Sequence, residues 1–226
     1  MIVQFSVANY LSFKEMSTLS LATTNLKETA ISETDSMTEM GGAIPAVLHG
    51  AAIYGANASG KSNFAKAFAT FKWLVINSIK ELQAGDALDV ESFMLNDTTA
   101  KEPSIFEIVF CNVDYIFRYG FEVDGVKVHK EWLYRRNNKK RAKEVELWYR
   151  EGDIYNVHPS CAIAKSVVAN KMVRDNALLV SVAAQFNDET AVSIVDWLND
   201  TSIITSHDDE VMWKRAAIKL DDQKMR

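Results

Sequence analysis

The chain has 226 residues, 48% of them hydrophobic and 24% charged, with a formal net charge of −5. That length buries one substantial core with room for a second lobe, and the acidic balance argues against wholesale coating of nucleic acid while allowing a local basic patch. No apolar run reaches the roughly 18 residues of a membrane span, and the N-terminus lacks a secretory leader's basic segment, apolar stretch and small-residue cleavage site, so the expectation is a cytoplasmic protein without membrane contact.

Val3, Phe5 and Val7 alternate with polar residues, the period of a strand with one buried face, and Leu19 and Leu21 continue it. The pattern predicts a hairpin of residues 2–8 and 17–23 with 9–15 as its turn. Residues 24–45 are rich in Thr, Ser, Glu and Met and show no sustained period, which predicts an irregular surface loop. Such a loop serves equally as a lid beside a ligand site or as a plain connector. Residues 46–54 are apolar with few polar side chains, as expected of a strand buried on both faces of a parallel sheet.

Directly after that run comes Gly55-Ala56-Asn57-Ala58-Ser59-Gly60-Lys61-Ser62, which meets every fixed position of the phosphate-loop pattern G-x-x-x-x-G-K-[ST]. Glycines at 55 and 60 let the backbone curl so that amide N–H groups converge on phosphate oxygens. The Lys61 ammonium is expected along the outer phosphates of a nucleotide, and the Ser62 hydroxyl on a Mg²⁺ bridging the same oxygens. The candidate binding set is Gly55, Ala56, Asn57, Ala58, Ser59, Gly60, Lys61, Ser62 and Asn63, with Lys61 as the catalytic candidate and Ser62 as the metal ligand. Phe64, Ala67, Phe68, Phe71, Leu74 and Val75 then recur at helical spacing, predicting an amphipathic helix over about 61–82 that starts at the loop.

Gly85 and Asp86 break the helical pattern, and a polar connector runs to Pro103. From 104 to 157 short β-rich segments alternate with turns, predicting an antiparallel meander of strands 105–112, 115–123, 126–136 and 145–151, with Asp124-Gly125 as the strongest hairpin signal. One turn, Arg135-Arg136-Asn137-Asn138-Lys139-Lys140-Arg141-Ala142-Lys143, holds six basic residues and no acid. Two readings stand: Arg135, Arg136, Lys139, Lys140 and Arg141 contact a nucleic-acid backbone, or the charge merely keeps strand edges apart. Residues 160–201 return to helical period. The acidic run Asp208-Asp209-Glu210 follows Thr205-Ser206-His207 and reads as a solvated linker. Cys111 and Cys161 form no disulfide framework or metal cluster, and His49, His129, His158 and His207 lack ligand spacing. No H-E-x-x-H, C-x-x-C or G-x-S-x-G motif occurs.

The loop form G-x-N-x-S-G-K-S, with Asn57 third, and the opening Met1-Ile2-Val3-Gln4-Phe5-Ser6-Val7-Ala8-Asn9-Tyr10-Leu11-Ser12-Phe13-Lys14 resemble the SMC/Rad50/RecF branch of ABC-type ATPases. The prokaryotic AAA-type defence group of abortive-infection, PtuA-like, RloC-like and retron-associated ATPases is similar in the same features. The resemblance implies an α/β P-loop NTPase, an ABC/SMC-type head with an antiparallel β-meander subdomain and a helical segment. It divides the chain into 1–83 (N-terminal strands, loop and helix), 84–158 (meander) and 159–226 (helical segment and acidic linker). It also implies ATP and Mg²⁺ as ligands, a homodimer or higher oligomer formed through the heads, and a nuclease or toxin as regulated effector in antiphage defence. An ATP-held scaffold with little hydrolysis and a DNA-repair head are the alternatives. In the resembled heads the turn after the first strand lies near the nucleotide; this chain has Leu11 where a basic residue often stands, and Ser12 and Phe13 are candidates either for the site or for structure. A metal-binding glutamine has only Gln83 as a nearby match, in a poorly matching context. An LSGGQ-like signature, an apolar strand ending in Asp-Glu and a switch histidine are not found, so the resemblance implies an N-terminal part of a longer head whose hydrolytic residues lie elsewhere.

Overall fold

The computed structural model describes residues 1–23, 37–40, 42–112 and 114–203. The acidic run 208–210, His207 and residues 24–36 lie outside these. Nine strands and four α-helices are described: β1 (Ile2–Ala8), β2 (Ser17–Ser20), β3 (Met37–Glu39), β4 (Ala46–Leu48), α1 (Lys61–Asn77), β5 (Ser104–Cys111), β6 (Tyr115–Val123), β7 (Val128–Asn137), β8 (Val145–Glu151), β9 (Ile154–Val157), α2 (Ala162–Ala169), α3 (Leu179–Gln185) and α4 (Glu189–Asp200). Seven strands form one sheet in the order β2-β1-β5-β6-β7-β8-β9, and β3 pairs with β4. All strand pairings among the described residues are antiparallel.

Period-two alternation builds the sheet's two faces. Phe106, Ile108 and Phe110 of β5 and Phe117, Tyr119 and Phe121 of β6 are buried on one side, in cross-strand register Phe106↔Phe121, Ile108↔Tyr119 and Phe110↔Phe117. The intervening Glu107, Arg118 and Glu122 stand on the other side, where Arg118 bridges Glu107 at 3.3 Å and Glu122 bridges Lys130 at 3.2 Å. A bulge between Ile2 and Gln4 turns Val3 away from the main core. There it joins Ile44, Val47, Cys111 and Ile116 in a small second cluster under the β3–β4 hairpin.

The helices cover the apolar face. Phe71 of α1 stacks on Phe121 at 5.2 Å between ring centroids, and Phe5 of β1 meets Phe64, Phe68 and Phe71 edge-on. Such pairs add about 0.5–1.5 kcal/mol each beyond area burial, and they fix the helix's rotation over the β1 end of the sheet. At its far end Arg174 donates to the Leu82 and Ser78 carbonyls, neutralising the carbonyl-rich terminus. Two free cysteines, Cys111 and Cys161, are both buried.

Several expectations need correction. The run 46–54 is a strand only over Ala46–Leu48, not a buried strand of a parallel sheet: β4 pairs antiparallel with β3 and bridges Ala22. A strand persists only where a neighbour satisfies its backbone groups, and β4's described neighbours end with it. Residues 49–59 are accordingly exposed without regular structure. Helix α1 stops at Asn77, because Ser78 begins a series of tighter turns, and residues 37–39 of the expected loop form a strand. The meander has an additional strand, β9, paired to β8 from Trp148↔Val157 to Glu151↔Ile154. It also shares its sheet with the β1–β2 hairpin through β1 and β5.

Candidate functional site

The loop of residues 55–60 feeds directly into α1. Gly60 is the helix N-cap at φ 89°, a left-handed conformation that costs glycine little and a β-carbon much. Ala58 shares that region at φ 62°, and the Ser59 amide closes the turn on the Ala56 carbonyl at 3.3 Å. The loop is curled and faces outward: Gly55, Ala56, Asn57, Ala58 and Ser59 are all exposed.

The first turn of α1 carries no acidic side chain, and no side chain caps it. The Asn63 and Phe64 amides bond the Gly60 carbonyl, while those of Lys61 and Ser62 have no acceptor among the described residues. Uncapped amides at the positive end of a 17-residue helix attract an anion. The Lys61 ammonium curls back onto the loop, donating to the carbonyls of Gly55 at 2.8 Å and Ala56 at 2.6 Å and approaching Ser59 Oγ at 3.4 Å. It pairs with no carboxylate among the described residues, so its charge is balanced only by carbonyl dipoles. A sequence-based expectation put this ammonium along the phosphates, and the bonds it makes here tether it within reach of the loop.

The two glycines also make room. A β-carbon on Gly55 would lie 2.7 Å from Ser59 Oγ, and one on Gly60 would lie 2.6 Å from Ser12 Oγ. The donor set therefore fits a polyphosphate: loop backbone open to solvent, free helix amides, one ammonium held beside the loop, and an exposed Ser62 hydroxyl at the first turn. Among the described residues no group of three or more His, Cys, Asp or Glu converges to hold a metal, so a Mg²⁺ here would rest on Ser62, phosphate oxygens and water.

The β1–β2 turn arrives at the same place. Ser12 Oγ accepts a hydrogen bond from Asn63 Nδ2 at 3.0 Å, Phe13 packs edge-on against Phe64 at 5.9 Å, and the Tyr10 hydroxyl meets Thr70 Oγ1 at 2.9 Å. Burial, helped by Glu91 and Asp89, pushes the Tyr10 phenol above its ordinary value against the Thr70 hydrogen bond, and it stays uncharged. Beside it a cleft of about 310 Å³ runs along the second and third turns of α1, edged by Lys66, Asp89 and Glu91.

Gln83 is elsewhere. Its carbonyl accepts from Asn176 and its amide donates to Asp86 beyond the C-terminal end of α1, which lies about 23 Å of helix from Ser62 at 1.5 Å per residue. The basic turn is also remote, joining β7 to β8 at the end of the sheet where Asn138 N bonds Asp114 O. Through the register Ile2↔Phe110, Phe110↔Phe117 and Phe117↔Arg135, that end holds the start of β1, whereas Ser12 follows its finish. Arg135 lies over the Tyr115 ring at 4.6 Å, while Lys139, Lys140, Arg141 and Lys143 are exposed. His49 meets Thr38, His129 meets Asp124 and His158 meets Ser160, three separate local contacts.

Residues 51–147 match the family described as "AAA domain, putative AbiEii toxin, Type IV TA system". This stretch is similar to an AAA domain. The similarity takes in the loop, α1 and β5 to β7 and ends inside β8, a little under half of the chain. No curated protein and no solved structure gives a match. No helix among the described residues is long and apolar enough to cross a membrane.

Asn9 is the residue that sequence reasoning missed. It is buried, at φ 48°, and its amide holds the β1–β2 turn in place through the carbonyls of Thr99 at 2.7 Å and Glu102 at 2.8 Å. The signal in the sequence was slight: an Asn at a strand end, where asparagine tolerates left-handed backbone.

Proposed function

We propose that the chain is a nucleotide-binding domain of the P-loop type that takes ATP with Mg²⁺ through residues 55–63. The observation that carries the reading is the glycine-capped, acid-free N-terminus of α1 behind an exposed curled loop whose own lysine is tethered across it. In this reading the loop amides and the Lys61 and Ser62 amides hold phosphate oxygens. The Lys61 ammonium leaves its carbonyl partners for the outer phosphates, and Ser62 supplies one metal ligand. Bound Mg²⁺ supplies charge neutralisation across the phosphates.

The test is calorimetric titration of Mg–ATP. Wild-type protein is expected to bind, and Lys61→Ala to bind at least about tenfold more weakly, the scale of one charge-assisted hydrogen bond. The side chain is on the surface, so the thermal midpoint is expected to hold. Equal affinity in the two proteins would overturn the assignment of Lys61.

A finer reading adds that ATP joins two such domains and that the assembly restrains or releases a toxin or nuclease in antiphage defence. It draws support from the toxin–antitoxin wording of the matched family and from the resemblance of the loop and opening strand to defence ATPases. An ATP-held scaffold with little hydrolysis uses the same site. A DNA-repair head would use the exposed Lys139, Lys140 and Arg141 besides.

A further inference from the structure

We infer that Ser12 is a positioning residue for the phosphate loop, held against it by a strained turn. The inference rests on the nucleotide-binding reading and assigns a role within that site. Residues 9–13 carry two non-glycine residues in left-handed backbone, Asn9 and Leu11, both at φ 48°. Asparagine tolerates that region, but leucine there is uncommon and strained. Such strain persists only where the surroundings over-determine it.

They do so here on two sides. Towards the 91–104 segment, the Asn9 side chain donates to the Thr99 and Glu102 carbonyls and accepts from the Phe93 amide, Ser104 Oγ donates to the Asn9 carbonyl at 2.5 Å, and the Leu11 amide donates to the Glu91 carbonyl at 3.0 Å. Towards α1, Tyr10 bonds Thr70 and Phe13 packs on Phe64. Between those anchors the turn has one exposed polar side chain, Ser12, and its Oγ lies against Gly60 and Asn63. A β-carbon at Gly60 would lie 2.6 Å from Ser12 Oγ and would have to push that hydroxyl aside, so glycine there serves the contact as well as the backbone angle. Ser12 thereby braces the residue that caps α1 and the side chain one position beyond Ser62. This limits the motion of the amides that would face phosphate and makes their arrangement ready before ligand arrives.

Mg–ATP is titrated calorimetrically into the wild-type chain, Ser12→Ala, Asn63→Ala, the double variant, Ser12→Thr and Lys61→Ala, with thermal midpoints measured for each. Loss of one neutral hydrogen bond is expected to weaken ATP binding about fivefold in either alanine variant. The double variant is expected to be no weaker than the poorer single, because the two side chains act as one unit. Ser12→Thr, which keeps the hydroxyl, is expected within about twofold of wild type, and midpoints within about 2 °C. Losses that multiply in the double variant would overturn the inference, as would wild-type affinity in Ser12→Ala. A midpoint drop in Ser12→Ala with unchanged affinity of the folded fraction would overturn it too, leaving Ser12 a folding role. These outcomes keep the nucleotide reading if Lys61→Ala still loses binding. A wild-type chain that binds no ATP overturns both.

Discussion

Glu131 is wholly buried, and both its oxygens are hydrogen-bonded: Oε2 accepts the Leu179 amide at 2.6 Å, and Oε1 accepts the Val180 amide and the Tyr119 hydroxyl, each at 3.0 Å. Its cross-strand neighbour Arg150 is buried too and donates to the Ala177 carbonyl at 2.7 Å, just before α3. Together they fasten the helical half to the sheet. Burial pushes the Glu131 carboxyl above its ordinary value, against the pull of Arg150, the Val180 and Leu179 amides and Tyr119. The sign follows from linkage: as pH rises past the ordinary glutamate value, the unfolded chain sheds this proton first while the native chain keeps it. Stability from this group is therefore full at lower pH and falls as pH rises through the window up to the raised value. Glu131→Gln abolishes that dependence and leaves the Leu179 amide facing a donor. It is expected to cost about 1–3 kcal/mol and to flatten the difference in urea midpoint between acidic and neutral buffer. A variant with the wild-type pH profile would show that Glu131 contributes nothing to it.

At the scale of elements, the β7–β8 hairpin has two unlike halves. Its sheet portion is neutralised and packed: Arg118 sits over the Tyr134 ring at 4.2 Å and bridges Glu144 at 2.5 Å, and Arg135 lies over Tyr115. Its tip projects Lys139, Lys140, Arg141 and Lys143 into solvent. The tip is the most exposed part of this basic run, so the first variant replaces Lys139, Lys140 and Arg141 with Gln and leaves Arg135 and Arg136 intact. In a fluorescence-anisotropy titration of duplex DNA, a tip that binds backbone gives weaker binding in the variant and a flatter salt dependence. The slope falls by about one unit for every phosphate that the variant no longer neutralises. Unchanged affinity and slope would remove nucleic acid as a partner of this hairpin.

Across the whole molecule, the loop of residues 55–60 and the tip of the basic hairpin lie towards opposite ends of the seven-stranded antiparallel sheet. A partner bound at the tip would thus leave the loop open. Exposed Tyr54, Met94 and Leu95, at 90%, 70% and 89%, flank the loop in sequence or lie on the segment that holds the β1–β2 turn. If ATP joins two copies of the domain, light scattering at micromolar protein is expected to show the mass doubling with Mg–ATP in wild type but not in Lys61→Ala. A mass unaffected by ATP in a protein that binds it would favour a single-copy binding module.

What could be read along the chain was whatever depends on near neighbours. The loop 55–62 follows from a fixed spacing of glycines and lysine, β5 to β8 from short β-rich segments set between turns such as Asp124-Gly125, and the helical stripes from residues three and four apart. Those periods are local geometry and survive any arrangement of the rest. Residues far apart in sequence had to be brought together before the remainder was decided. The Ala46–Leu48 strand ends where its described ladder partners end, an outcome that apolar composition cannot announce. Glu131 looks like an outward-facing charge until α3 places two free amides over it, and Ser12, open along the chain between a site role and a structural one, is set against Gly60 only once Asn9 is pinned by the 93–104 segment. Backbone pairing, burial of charge and strain are satisfied by partners tens of residues away, and only the folded chain names those partners.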